Sequence, residues 1–185
     1  MFGVLAAEDA QGERVWLHAF SSLPGGEREL PGWVPPTLGA GRFDALVKPG
    51  ELEIKALSAA LAETPKGSGR WRALRAERRA RSRSLWATML DAYRLRSVGG
   101  VERPLRELSL RGDQIPSGTG ECCAPKLLSE AARRGLRPRA MVEFSWGRRG
   151  EGGLRWAPGT LRASCEARCG LILGFMLCPH PDEPA

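Results

Sequence analysis

The chain contains no run of about 18 consecutive apolar residues, so neither a membrane-spanning helix nor a membrane partner is expected. Met1 leads straight into FGVLAAEDAQGERVW, without the basic segment and apolar stretch of a secretory signal, and a cytoplasmic location is expected. Five cysteines (Cys122, Cys123, Cys165, Cys169 and Cys178) without an export signal do not predict a disulfide scaffold, because a reducing compartment keeps thiols free. Metal binding or core packing remains for them. There is no internal repeat. The loop SGTGE, ahead of a predicted helix, could turn backbone N–H groups toward a phosphate, but it matches neither a Walker A motif nor a dinucleotide fingerprint. Of the two histidines, His18 in VWLHAF reads as a satisfied core residue, and His180 in the tail PHPDEPA is expected to fray.

What is present is enough for a core. With 185 residues and 42% hydrophobic composition, a single domain spanning 1–185 with an appended helical element is the natural expectation. FGVLAAE and RVWLHAF alternate around the turn EDAQGE, the pattern of a β-hairpin. Residues 21–50 carry too many Pro and Gly residues for regular structure, so this stretch reads as a loop pinned to the core by Trp33, Val34 and Phe43. A short helix is predicted over Glu51–Glu63 and a long one over Arg70–Leu95, within a basic helical element at 66–96. Ser97–Leu110 fits a second hairpin. A helix from Gly120 to Arg134, a buried strand over Arg139–Trp146 and a last helix from Cys165 to Cys178 form a cysteine-bearing core at 117–178. The order predicts an α/β (α+β) fold: a mixed sheet with flanking helices.

Charge is concentrated. Between Lys66 and Arg111 thirteen cations face four acids, a local balance of +9 that leaves −2 for the rest of a chain of net charge +7. In WRALRAERRARSRSLW, Arg72, Arg75, Arg79 and Arg83 recur every three or four residues, so a helix aligns them as a rail for RNA phosphates. Arginine suits phosphate through its bidentate fork. A solvated helix face is the plain alternative, and the Pro, Gly, Ala and Arg bias also fits a GC-rich genome.

The cysteines carry the other chemistry. Thiolates are good zinc ligands, and three protein ligands leave a fourth position for water. Zinc deaminases place one ligand at the start of one helix, a Pro-Cys-x-x-Cys turn at the start of the next, and a proton-shuttling Glu two residues after the first ligand. The chain resembles that layout, with Cys122 as first ligand and Cys165 and Cys169 as the later pair, which implies a deaminase-like three-layer core. It departs from it in having Ala124 at the shuttle position, Ser164 in place of proline, and a Cys-x-x-x-Cys spacing. Glu121 and Glu143 are the candidate catalytic acids; Glu143, inside the apolar MVEFSW, must be paired or shifted. The plain structural alternative is that Cys122, Cys123 and Cys178 are ordinary small core residues.

Taken together, MFGVLAAEDAQGERVWLHAFSS, GWVPP, SGTGECCAPKLLSEAARRGLRPRAMVEFSWG and CEARCGLILGFML resemble the N-terminal region of a subset of RluA-type RNA pseudouridine synthases. There the corresponding pieces are a Met-Phe-Gly-Val-Leu start, a charged helical insertion, a Gly-Glu-Cys-Ala-Ala-Pro-Lys-Leu-Leu segment, an Ala-Glu-Phe-Trp-Trp-Gly strand and a Cys-x-x-x-Cys before a final helix. The resemblance covers nearly the whole chain and implies RNA modification as its setting. The synthases' catalytic His-Arg-Leu-Asp motif does not occur in these 185 residues, so no catalytic residue carries over.

Three readings follow. The preferred one is an RNA-binding accessory domain that contacts RNA through Arg72, Arg75, Arg79 and Arg83 and holds zinc on Cys122, Cys165 and Cys169. The second is a zinc-dependent nucleic-acid or nucleoside deaminase-like enzyme. The third is a structural partner that docks a separately encoded RNA-modifying enzyme.

Overall fold

The opening hairpin follows its alternation. In the computed structural model, which describes residues 1–21, 23–108, 115–147 and 157–179, β1 (Phe2–Glu8) pairs antiparallel with β2 (Arg14–Phe20), Leu5 opposite Leu17. Asp9 closes the turn: its carboxylate accepts the backbone N–H groups of Gln11 and Glu13, and Gly12 takes the positive φ that the tight bend requires. The outer flank of β1 is taken by β5 (Arg137–Phe144), which in turn pairs with the short β6 (Leu161–Arg162). The sheet runs β2-β1-β5-β6. The α+β class holds, but the expected mixed sheet is replaced by one that is antiparallel in every described pairing.

Gly3 brings a helix down onto this sheet. α4 (Cys123–Arg133) crosses one face with Cys123, Leu127 and Ala131 against Leu5, Ala7, Leu17, Ala19 and Val34. A Cβ on Gly3 would lie 2.5 Å from the Cys123 Cβ, so the close approach of the helix depends on the missing side chain. Gly135, at φ +67°, ends the helix region as expected. A small second sheet pairs β3 (Arg94–Arg96) with β4 (Glu102–Pro104) around a turn at Ser97–Val101, so the second hairpin lies earlier than its predicted span. Its predicted end at 109–110 and His180 lie outside the described residues. α5 (Gly170–Leu177) is shorter than expected: Cys165 to Cys169 form the turn before it, with the Gly170 N–H donating to the Cys165 carbonyl.

The described residues divide into two compact units, Met1–Thr37 with Tyr93 onward, and Leu38–Ala92. The second unit is helical: α1 (Ala40–Leu46), α2 (Lys48–Glu63) and α3 (Gly69–Ala92). Two of these correct the reading of 21–50 as wholly irregular. Gly39 precedes α1, and Pro49 sits in the first turn of α2, where its missing N–H costs nothing. α3 stops at Ala92, short of the expected Leu95, which belongs to β3. α2 and α3 pack antiparallel, with Leu85 over Gly50, Arg81 paired to Glu53 at 3.4 Å and Arg78 donating to Ser58 at 2.8 Å.

Candidate metal centre and basic helix

Two separate pieces of chain bring the three sulfurs together. Cys122 occupies the position just before α4, and Cys165 and Cys169 bracket the turn into α5. Their Sγ atoms all lie within 4.8 Å of one another, with Cys165 and Cys169 at 3.8 Å. An ion about 2.3 Å from each sulfur at tetrahedral angles sets the sulfurs roughly 3.8 Å apart. The three cysteines are therefore close enough to hold a metal ion, and their spacing is compatible with zinc. The widened Cys-x-x-x-Cys serves this end, since one turn of chain returns the second sulfur to the first.

The thiols are unequal. Cys122 is lowered from an ordinary 9.0 to about 7, chiefly because the Cys169 thiol hydrogen-bonds to it, with help from Cys165 and Arg168 and against burial and the nearby Glu143 carboxylate. Cys169 is raised, being the donor of that bond and buried beside a group that ionises first. Cys123 points the other way, with its Sγ 3.5 Å from the Ala19 carbonyl oxygen, and burial pushes it up to about 11. It is a core residue. Cys178 caps the C-terminus of α5 and is half-buried.

Glu143 is the most buried member of a strand expected to be buried throughout. Met141 and Val142, just before it in the chain, are exposed by more than a third, while Glu143 is 6% exposed. Its Oε1 accepts the Ala124 backbone N–H at 3.1 Å, and its Oε2 accepts the Ser164 hydroxyl at 3.0 Å. Glu143 thus caps α4 from a neighbouring strand, the role that the Cys122 side chain leaves unfilled. Gly3 lies directly across from Glu143 in the sheet. Ser164, which stands where the deaminase layout has proline, is the second partner that its position in the sequence did not reveal.

Glu121 lies elsewhere, in a cleft of about 220 Å³ lined by Phe20, Ser21, Leu23, Arg28, Pro36 and Lys126. Lys126 is buried there; its ammonium donates to the Phe20 carbonyl and lies 5.4 Å from the centre of the Phe20 ring. Burial lowers its pKa, opposed by Glu121. No spacing in the sequence marks Lys126, because its setting is made by β2 and the loop after it. His18 meets Trp33 edge-on at 5.8 Å.

In the helical unit, Arg72, Arg75, Arg79 and Arg83 are all exposed, while Trp71, Leu74 and Leu85 are half-buried. Arg72 donates to the Gly67 carbonyl at 2.8 Å, and Arg75 lies 5.1 Å over the Trp71 ring. Such seating fixes the stems and leaves the cations in water. α3 is about 36 Å long at roughly 1.5 Å per residue.

Comparison with protein-family models, curated proteins and solved structures finds no match to this chain. Among the described residues no helix is long and apolar enough to cross a membrane.

Proposed function

We propose that the chain is an RNA-binding accessory module in RNA modification, related to the leading region of the RluA-type pseudouridine synthases and carrying a structural zinc clasp. The observation that carries the RNA reading is the row of exposed arginines on α3: Arg72, Arg75, Arg79 and Arg83 present four cations along one side of a helix. On single-stranded RNA, four phosphate contacts give binding a log-log salt slope of about 3. The test is fluorescence anisotropy with labelled RNA across a salt series. Replacing the four arginines with alanine is expected to weaken binding and flatten the slope; unchanged affinity and slope remove the reading.

A second reading, a zinc-dependent deaminase-like enzyme, is favoured by the burial of Glu143 beside the Cys122 end of α4. With the intervening elements from α1 to β4 treated as insertions, the connectivity is compatible with a deaminase-like core, since α4 packs on the β1-β2 hairpin and leads into β5, which pairs with β1. Zinc held by three thiolates would leave one position for a water made acidic by the metal. Glu143 would hold or pass a proton at Oε2, where Ser164 now donates. Metal analysis of purified protein, then ammonia release from RNA and free nucleosides, separates the two readings. Absence of bound metal removes the enzyme.

A further inference from the structure

The registers place Trp16, Ala6 and Ala140 in one cross-strand row, His18, Val4 and Val142 in the next, and Phe2, Phe144 and Leu161 in a third. Directly opposed residues share a face of a sheet. This face is therefore the one opposite Gly3, Leu5 and Leu17, which receive α4. Trp33 covers one corner, with edge-on ring contacts to Phe2, His18 and Phe20 at 5.6 to 5.8 Å. Beyond that corner apolar side chains meet water: Trp16 is 55% exposed, Val142 38% and Leu161 69%. A continuous open patch of this kind marks an interaction surface.

The margin of the patch is charged. Arg14 and Arg137 both stand opposite Glu8, and the Arg139 guanidinium donates to the same carboxylate at 2.5 Å. All three arginines are exposed and stand around Glu8 on this face, while Asp9 and Glu13 lie in the turn beyond it, the Asp9 carboxylate already taken by backbone N–H groups. Arginines at the margin of an apolar patch suit a ligand that carries negative charge beside flat apolar groups. Unpaired RNA matches both features, with a π-face on every base and a negative charge on every phosphate.

We propose that this sheet face is a stacking platform for unpaired bases of single-stranded RNA, with Trp16 as its principal ring and Arg14, Arg137 and Arg139 holding phosphate at its edge. The proposal rests on the RNA reading above and extends it to a second surface with a different preference. A rail of arginines on phosphates accepts paired and unpaired strands alike, whereas stacking requires bases that are not already paired.

The experiment compares an oligouridylate of about sixteen nucleotides with a GC-rich RNA duplex of about eight base pairs, which carries nearly the same charge, by anisotropy at one fixed salt concentration. Trp16→Ala is expected to lower oligouridylate affinity at least about five-fold, the equivalent of about 1 kcal/mol for one lost stack, and to leave duplex affinity unchanged. Trp16→Phe restores most of the loss. Where Trp16→Ala disturbs the hairpin by circular dichroism, Trp16→Leu, which keeps an apolar side chain but removes the ring, carries the same comparison. Unchanged oligouridylate affinity, or equal losses on both ligands, overturns the platform. So does a change in the sedimentation of RNA-free protein without a change in RNA affinity, which would assign the face to a second copy. The four-arginine variant of α3 distinguishes the two surfaces: losses on both ligands there, with none from Trp16→Ala, leave the rail standing and remove the platform. A wild-type protein that binds neither ligand removes both.

Discussion

Replacing Glu143 with alanine tests how the candidate centre is held together. The carboxylate is buried, accepts the Ala124 N–H at 3.1 Å and the Ser164 hydroxyl at 3.0 Å, and stands in for a helix cap that the Cys122 side chain does not make. Loss of a helix N-cap costs about 0.5 to 2 kcal/mol. The half-buried Ser164 hydroxyl also loses its acceptor, at about 1 kcal/mol. Relief from burying a carboxylate offsets part of this, so the net loss expected for Glu143→Ala is about 2 kcal/mol. At about 2 to 4 °C per kcal/mol for a chain of this size, Tm falls by about 4 to 8 °C. Glu143→Gln keeps an acceptor for Ala124 and should lose less than half as much. The assay is thermal unfolding followed by circular dichroism, in chelator and reductant so that metal binding does not contribute. An alanine variant as stable as wild type, or a glutamine variant as weak as alanine, refutes the capping role.

Two further outcomes follow from the packing of α4. Gly3→Ala places a Cβ 2.5 Å from the Cys123 Cβ and 3.1 Å from Leu127 Cδ1, so urea unfolding should show a loss of about 1 to 3 kcal/mol from overpacking. Gly41→Ala, in α1 with open space around it, should cost nothing. Cys123 is raised from 9.0 to about 11 by burial, so the folded state holds its proton more tightly than the unfolded state. Its contribution to stability is complete below pH 9 and is lost as pH rises through about 11. Denaturant midpoints across that range should fall more steeply in wild type than in Cys123→Ala. In metal-free native protein, iodoacetamide should label Cys122 well before Cys123, and equal labelling rates would contradict the assignment of Cys123 to the core.

Local pattern was enough for the elements whose partners are adjacent in sequence. The β1-β2 hairpin was legible because period-two alternation and a Gly-bearing turn are local features, and most of α3 was legible because a long stretch free of Pro, with Gly only at its start, has few other options. α2 was expected from Glu51 onward, but α1 and the first turn of α2 were missed for the opposite reason: Pro and Gly density obscures a Pro at the first turn, where it is tolerated. β5 was recognised as a strand, yet its burial was inverted. Met141 and Val142 look like core residues in the chain, but the edge position of the β5-β6 pair leaves them part-exposed, while Glu143 is drawn inward by a helix terminus 19 residues away in sequence.

The sequence by itself determined the ligand types, the concentration of arginine on one helix and the α+β class, because these depend on composition and short-range periodicity. Only the tertiary structure decided that Cys122, Cys165 and Cys169 converge while Cys123 does not, since adjacent residues at a helix start point in different directions and only one of them turns toward the distant Cys165–Cys169 turn. It also decided the role of Glu143. A buried carboxylate needs donors, and those donors, the Ala124 N–H and the Ser164 hydroxyl, are brought to it by α4 and by the chain after β6.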